Sequence, residues 1–161
     1  PQEPAIFHET VFFNVTLGRE DISLAMIEAM VQASGLKKFI DSLPHAYDTV
    51  LDEGGASLSS GQRQLVALMR ALVSPATILI FDEATANIDT ETERLIQHTI
   101  NYAMSSKTVI LVAHRLSTIR DADQIAVLVQ GELNGLGTHQ DLLKDCHYYR
   151  CLHELEDVDH V

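Results

Sequence analysis

The sequence predicts an α/β protein, a parallel sheet with helices flanking it. Short unbroken apolar runs carry the first part of that reading: TILIF (residues 77–81), TVILVA (108–113) and QIAVLV (124–129) have the length and composition of strands buried on both faces. Segments with helical spacing of apolar residues lie between and around them. Strands that alternate with helices build parallel sheets through crossover connections. Ligands of such sheets bind beyond the C-terminal ends of the strands, so the chemistry is sought there.

Taken in order, the opening PQEPAIFHETVFFNV has no helix-start or strand signal before it and reads as the start of a cut chain. EDISLAMIEAMVQAS places Ile22, Met26, Ile27, Met30 and Val31 at helical intervals, and Gly35 stops it. LKKFIDSL predicts a short second helix, ended by Pro44. HAYDTVLDEGGAS is polar and glycine-rich, hence a loop. Gly61 opens a helix with Leu65, Leu68, Met69, Leu72 and Val73 on its apolar face, closed by Ser74-Pro75. After the first strand a helix begins near Asp89 or Thr90, where TETE reads as a capping box between Thr90 and Glu93. QGELNGLG follows the third strand as a turn or hairpin, and Thr138 starts a C-terminal helix through THQDLLKDCHYYRCLHEL.

Composition narrows the function. The 161 residues suit one domain or most of one, and 46% apolar content supports a core. A net charge of −12 argues against a free-standing nucleic-acid binder, which needs basic patches. The longest strongly apolar run, TVILVA, is far short of the roughly 20 residues that span a bilayer, and no signal peptide is seen. A membrane role then comes through a partner or a detached segment. Cys146 and Cys151 stand in CHYYRCLH with His147 and His153, but the spacing fits no standard zinc pattern. Two cysteines this close give no disulfide framework, which favours a reducing compartment.

Candidate site residues gather at the strand ends. Asp82 and Glu83 follow TILIF. Adjacent acids at the end of a buried strand are costly unless they meet a cation or polar ligand. They read either as a magnesium-nucleotide site, one carboxylate holding the metal and the other polarising a water, or as helix N-caps. His114 follows TVILVA at the matching position. It reads either as a donor to a γ-phosphate or as a structural histidine. Ser59, Ser60 and Gly61 precede a helix, where a hydroxyl and backbone N–H groups converge on an anion or simply cap the helix. A phosphate-gripping Walker A loop needs Gly, four residues, then Gly-Lys-Ser/Thr, and no Gly-Lys dipeptide occurs.

Together these motifs resemble the nucleotide-binding domain of ATP-binding cassette (ABC) transporters, over nearly the whole chain and in the family's order. LSSGQ (58–62) resembles the signature motif, usually LSGGQ; ILIFDEAT (78–85) resembles Walker B with the catalytic glutamate. ANID (86–89) stands where the family has its D-loop, VAHRLSTI (112–119) matches the switch-histidine segment, and PQEPAIF (1–7) resembles the Q-loop with Gln2 as its glutamine. YDTVLDEGGASLSSGQ (47–62), with Glu53 at an acidic position, and GELNGLGTHQDLL (131–143) are similar to the exporter type.

The resemblance implies a P-loop NTPase-like ABC ATPase core plus a helical signature subdomain, without the N-terminal β subdomain and Walker A. The expected division is a helical subdomain at about 14–62, with 1–13 and 63–161 forming a RecA-like α/β core and C-terminal helix. It further implies ATP and Mg²⁺ as cofactors, a second cassette paired head to tail, and attached transmembrane domains at the cytoplasmic face of a membrane. Ser59, Ser60, Gly61 and Gln62 would meet the γ-phosphate of ATP held by the partner cassette. Asp82 and Gln2 would serve the metal, Glu83 would be the general base, His114 would fix phosphate and water, and Asp89 would couple the two sites. The fragment alone is expected to be inactive.

Departures are Ser60 for a glycine, Asn87 and Ile88 in the D-loop, and Met69 for an alanine. The alternatives are a non-transport ATPase of the superfamily, acting in DNA repair or translation, and a truncated interaction module that does not hydrolyse ATP.

Overall fold

Capping signals set the first helices. In the computed structural model, which describes residues 4–82, 88–113 and 116–159, the chain divides into two compact units, Pro1–Ile110 and Leu111–Val161. In the first unit, Thr10 caps α1 (Val11–Thr16), its hydroxyl accepting the Phe13 N–H at 3.0 Å. Ser23 caps α2 (Leu24–Ala33) in the same way. Gly35, at φ +76°, takes the left-handed conformation that ends α2, and α3 (Lys37–Ser42) follows. The loop before the signature forms two single 3-10 turns, Ala46–Asp48 and Glu53–Gly55. It is tied back to the start of α1 by Val11 N–H to Thr49 O (2.9 Å) and Leu51 N–H to Glu9 O (3.0 Å).

The longest buried stripe belongs to α4 (Ser60–Val73), where Leu65, Val66, Leu68, Met69 and Leu72 are buried. The crossover helix α5 (Thr90–Ser106) joins β1 (Ile78–Asp82) to β2 (Thr108–Val112), and these strands pair in a parallel two-stranded sheet. The fold is therefore α/β with a parallel sheet and helices, as expected. The depth of the strands is not as expected. Only Leu79 is buried in β1, while Ile78 is 55% and Ile80 70% exposed. The run is apolar throughout, but in the described residues one face lacks a packing layer. On α2, Met26 lies at the edge of the arc formed by Ile27, Met30 and Val31, and is exposed rather than buried.

In the second unit, α6 (Leu116–Ile119) is followed by β3 (Ile125–Val129), which pairs antiparallel with β4 (Glu132–Gly137). Gln130 and Gly131, at φ 52° and 83°, make a two-residue turn with both torsions positive, the type that matches strand twist. Thus β3 belongs to a hairpin and buries one face only: Ile125 and Val127 are inside, Leu128 outside. The expected C-terminal helix is two helices, α7 (His139–Asp145) and α8 (His147–Asp159). The break falls at Cys146, whose backbone is extended and whose side chain is buried with Leu142 and Tyr149 under the hairpin. Gly135 makes room there, since a Cβ on it would lie 2.9 Å from Leu142 Cδ2 and 3.0 Å from Cys146 Sγ. No helix among the described residues is long and apolar enough to cross a membrane.

Candidate functional site

The signature segment folds as a capped helix start. Gly54 and Gly55, both at φ +69°, turn the chain, and Leu58 inserts into the core. Ser59 is the N-cap of α4: its Oγ accepts the Gln62 N–H at 3.2 Å, and Gln62 Oε1 accepts the Ser59 N–H at 3.0 Å. This box is ordinary helix capping, yet it leaves chemistry available. A hydroxyl that accepts one bond still has its own proton to donate, and Ser59 is exposed beside the positive end of a 14-residue helix. Ser60, in the first turn, is half-buried. Arg63 braces the motif from behind, donating from Nη1 to Leu58 O at 2.8 Å.

Gly61 differs from its neighbours. It is buried and has ordinary helical torsions, and an added Cβ would meet Thr92 Cγ2 at 2.4 Å and Ile88 Cγ2 at 2.9 Å. The start of α4 is thereby brought against the start of α5. There Asp89 is the N-cap, its Oδ1 accepting the Thr92 N–H at 2.9 Å. Hydrogen bonds from the Thr92 backbone, then from its side chain, hold the Asp89 carboxyl below its ordinary pKa. The TETE capping box is corrected accordingly: the carboxylate of Asp89, one residue earlier, takes the cap, and Thr90 is the first helical residue.

The structure thus brings Ser59, Gly61 and Gln62 together with Asp89. Asp82 ends β1 with its side chain exposed, at the strand terminus where it was expected. Gln2, Glu83 and His114 lie outside the described residues. The serine hydroxyl at the helix N-terminus suits a phosphate, and the exposed carboxylate at the strand end suits a divalent cation. CHYYRCLH gives only a close pair, Cys151 Sγ lying 3.7 Å from His147 Nε2. Among the described residues no cluster of three or more metal-ligating side chains forms.

Sequence reading missed the brace behind the site. Asn14 is fully buried. Its Nδ2 donates to the carbonyls of Phe7 (3.0 Å), Glu9 (3.2 Å) and Thr10 (3.1 Å), and its Oδ1 accepts the Phe7 N–H at 2.9 Å. Arg70 of α4 then donates to Asn14 O at 2.9 Å and to Ala5 O at 3.0 Å, with its guanidinium 5.9 Å from the Phe7 ring centre. Burial lowers the Arg70 pKa, and its hydrogen-bonding acceptors here are main-chain carbonyls. The end of the Q-loop segment and the start of α1 are therefore pinned to the signature helix. An asparagine inside the apolar run VFFNV was the available signal.

The family model described as ABC transporter matches residues 1–86. An ATP-dependent lipid A-core flippase of Chromobacterium violaceum is 45% identical over 155 residues, 96% of this chain and 26% of the flippase. A mitochondrial potassium channel ATP-binding subunit of Xenopus tropicalis is 49% identical over 144 residues, 89% of this chain and 21% of that protein. Among solved structures, a bacterial Atm1-family ABC exporter with ATP bound superposes with a TM-score of 0.80 at 42% identity, covering 97% of this chain and 27% of the exporter chain. The chain spans about a quarter of the length of these relatives. With the matching family model covering more than half of its residues, the chain belongs to the ABC transporter family.

Proposed function

We propose that the chain is the signature-bearing part of an ATP-hydrolysing export cassette, completed by a second cassette that pairs with it head to tail. The observation that carries this is Ser59: an exposed hydroxyl, its acceptor side taken by Gln62 N–H, at the start of α4 in a chain similar to an exporter with ATP bound. Family members use ATP, and bound Mg-ATP supplies the phosphoryl group whose transfer to water drives the cycle. In this reading Ser59 donates its proton toward a γ-phosphate oxygen, and the first-turn backbone of Ser60, Gly61 and Gln62 adds the helix dipole. Asp82, with Gln2, would hold the Mg²⁺; Glu83 would accept the proton of the attacking water, a role worth roughly 10²–10⁴-fold in rate. His114 would bind the γ-phosphate and the water, and Asp89 would link the two sites. The lysine-bearing phosphate cradle comes from outside these residues, since no Gly-Lys pair occurs in them. Transmembrane domains at the cytoplasmic face of a membrane complete the transporter, and closing and reopening of the cassette pair selects between their two states.

The 161-residue chain by itself is expected to bind ATP poorly and to show no hydrolysis above background. Turnover that disappears in Glu83→Gln would overturn that expectation. The positive test adds a hydrolysis-deficient complete cassette of the family. Association that requires ATP, fails with ADP and is lost in Ser59→Ala supports the reading; association indifferent to nucleotide sinks it.

A further inference from the structure

We propose that Gly61 is a glycine in order to seat Thr92 and Ile88, and that Thr92 is the positioning residue that keys the first turn of α4 to the first turn of α5. Ser59 and Asp89, one at each helix start, are thereby held in a fixed relation; the value of that relation to an ATP site rests on the function proposed above. Gly61 has no need of glycine's backbone freedom. Its torsions are helical, so the left-handed freedom of glycine is not used. Alanine is the better helix former at such a position, so keeping glycine requires another cause. Space supplies it. Along the direction of the missing Cβ lie Thr92 Cγ2 at 2.4 Å, Ile88 Cγ2 at 2.9 Å and Thr92 Cβ at 3.3 Å, all from this chain. Approach of a phosphate is a different demand, because that direction is already filled.

Thr92 has two jobs at once. Its methyl fills the notch over Gly61, and its N–H donates to Asp89 Oδ1 at 2.9 Å. A group placed on Gly61 therefore has to push on the residue that completes the Asp89 cap. Ser60 shows the contrast. One residue earlier and half-buried, it carries a side chain, so the two positions of the motif answer to different constraints.

The test uses the 161-residue chain and no nucleotide, so its outcome is independent of whether the chain serves an ATPase. The Asp89 side-chain carboxyl is titrated by NMR, and exchange of the Thr92 amide is followed beside it. In the unmodified chain Asp89 titrates below an ordinary aspartate. Gly61→Ala raises that titration toward the ordinary value and speeds Thr92 exchange by about tenfold. Ser60→Ala moves neither. Thr92→Ser removes the methyl and keeps the hydroxyl, and Ile88→Leu removes the Cγ2 branch. Gly61→Ala combined with both restores the Asp89 titration and the slow exchange. Should Gly61→Ala alone fail to fold, folding of the triple variant supports the proposal. An unchanged Asp89 titration in Gly61→Ala, or a triple variant no better than the single one, overturns it.

Discussion

Two neighbouring segments, α4 and β1, are both rich in apolar residues and behave in opposite ways. On α4 five apolar side chains from Leu65 to Leu72 are buried along with Gly61, and the other positions are half-buried. On β1 a run just as apolar buries Leu79 and leaves Ile78 and Ile80 more than half exposed. The difference lies in what each pattern specifies. A helix with an apolar stripe names the side that turns inward, and α4 packs against α1, α2 and α5. A strand apolar on both faces asks for two covering layers, and the described residues of this chain supply one. β3 is intermediate: it alternates, and α7 and α8 cover the face that carries Ile125 and Val127.

This contrast can be broken by substitution. Met69→Ala, at a position with no exposure, is expected to cost roughly 2–5 kcal/mol in urea or thermal denaturation. Arg70→Met preserves the stem and strips the bonds to Ala5 O and Asn14 O, at a cost of roughly 1–3 kcal/mol and with faster amide exchange across α1. Ile80→Thr, on the open strand face, should stay within ~0.5 kcal/mol. A loss there as large as that of Met69→Ala would show that the face is covered after all. His139 reports on the cover of β3. Burial first, then the charges of Arg120 and His153, hold it below the ordinary 6.5, so its neutral form is favoured in the folded state. Its contribution is complete above that value and is lost as pH falls through it. His139→Asn should flatten the stability profile of the second unit below about pH 6.5, the ordinary histidine value. The smallest effect belongs to Asp89, whose depressed pKa gives a cap present above the ordinary aspartate range and lost as pH falls below it. Asp89→Asn should remove that acid sensitivity of α5 and leave stability at neutral pH nearly unchanged.

Much of the molecule was legible because its cues are local. Ser59 at the helix start, the stripe on α4, the strand positions and the Gln130-Gly131 hairpin all follow from residues within one turn of each other. What escaped depends on distant partners. Arg70 reaches Asn14 and Ala5 across 56 and 65 residues of sequence, and no pattern around it names them. Nothing in the sequence around Gly61 names Thr92 and Ile88 as the side chains that lie against it. Thr90 and Asp89 are both good caps, and a one-residue choice between them is decided by backbone torsion. The break at Cys146 comes from burial under the hairpin, which a helical stretch of sequence does not announce. Gln2, Glu83 and His114 rest on motif alone.

The bare isoleucines of the sheet carry a consequence for how the protein behaves in bulk solution. Ile78, Ile80 and Ile110 offer apolar side chains to any second surface of the same kind, while a net charge of −12 pushes copies apart. These forces have different reach. Charge repulsion acts over a Debye length of about 10 Å in 0.1 M salt and shrinks to about 3 Å at 1 M, whereas apolar attraction needs contact and survives salt. Raising ionic strength should therefore turn a dispersed chain into a self-associating one, and light scattering against salt concentration would follow the crossover.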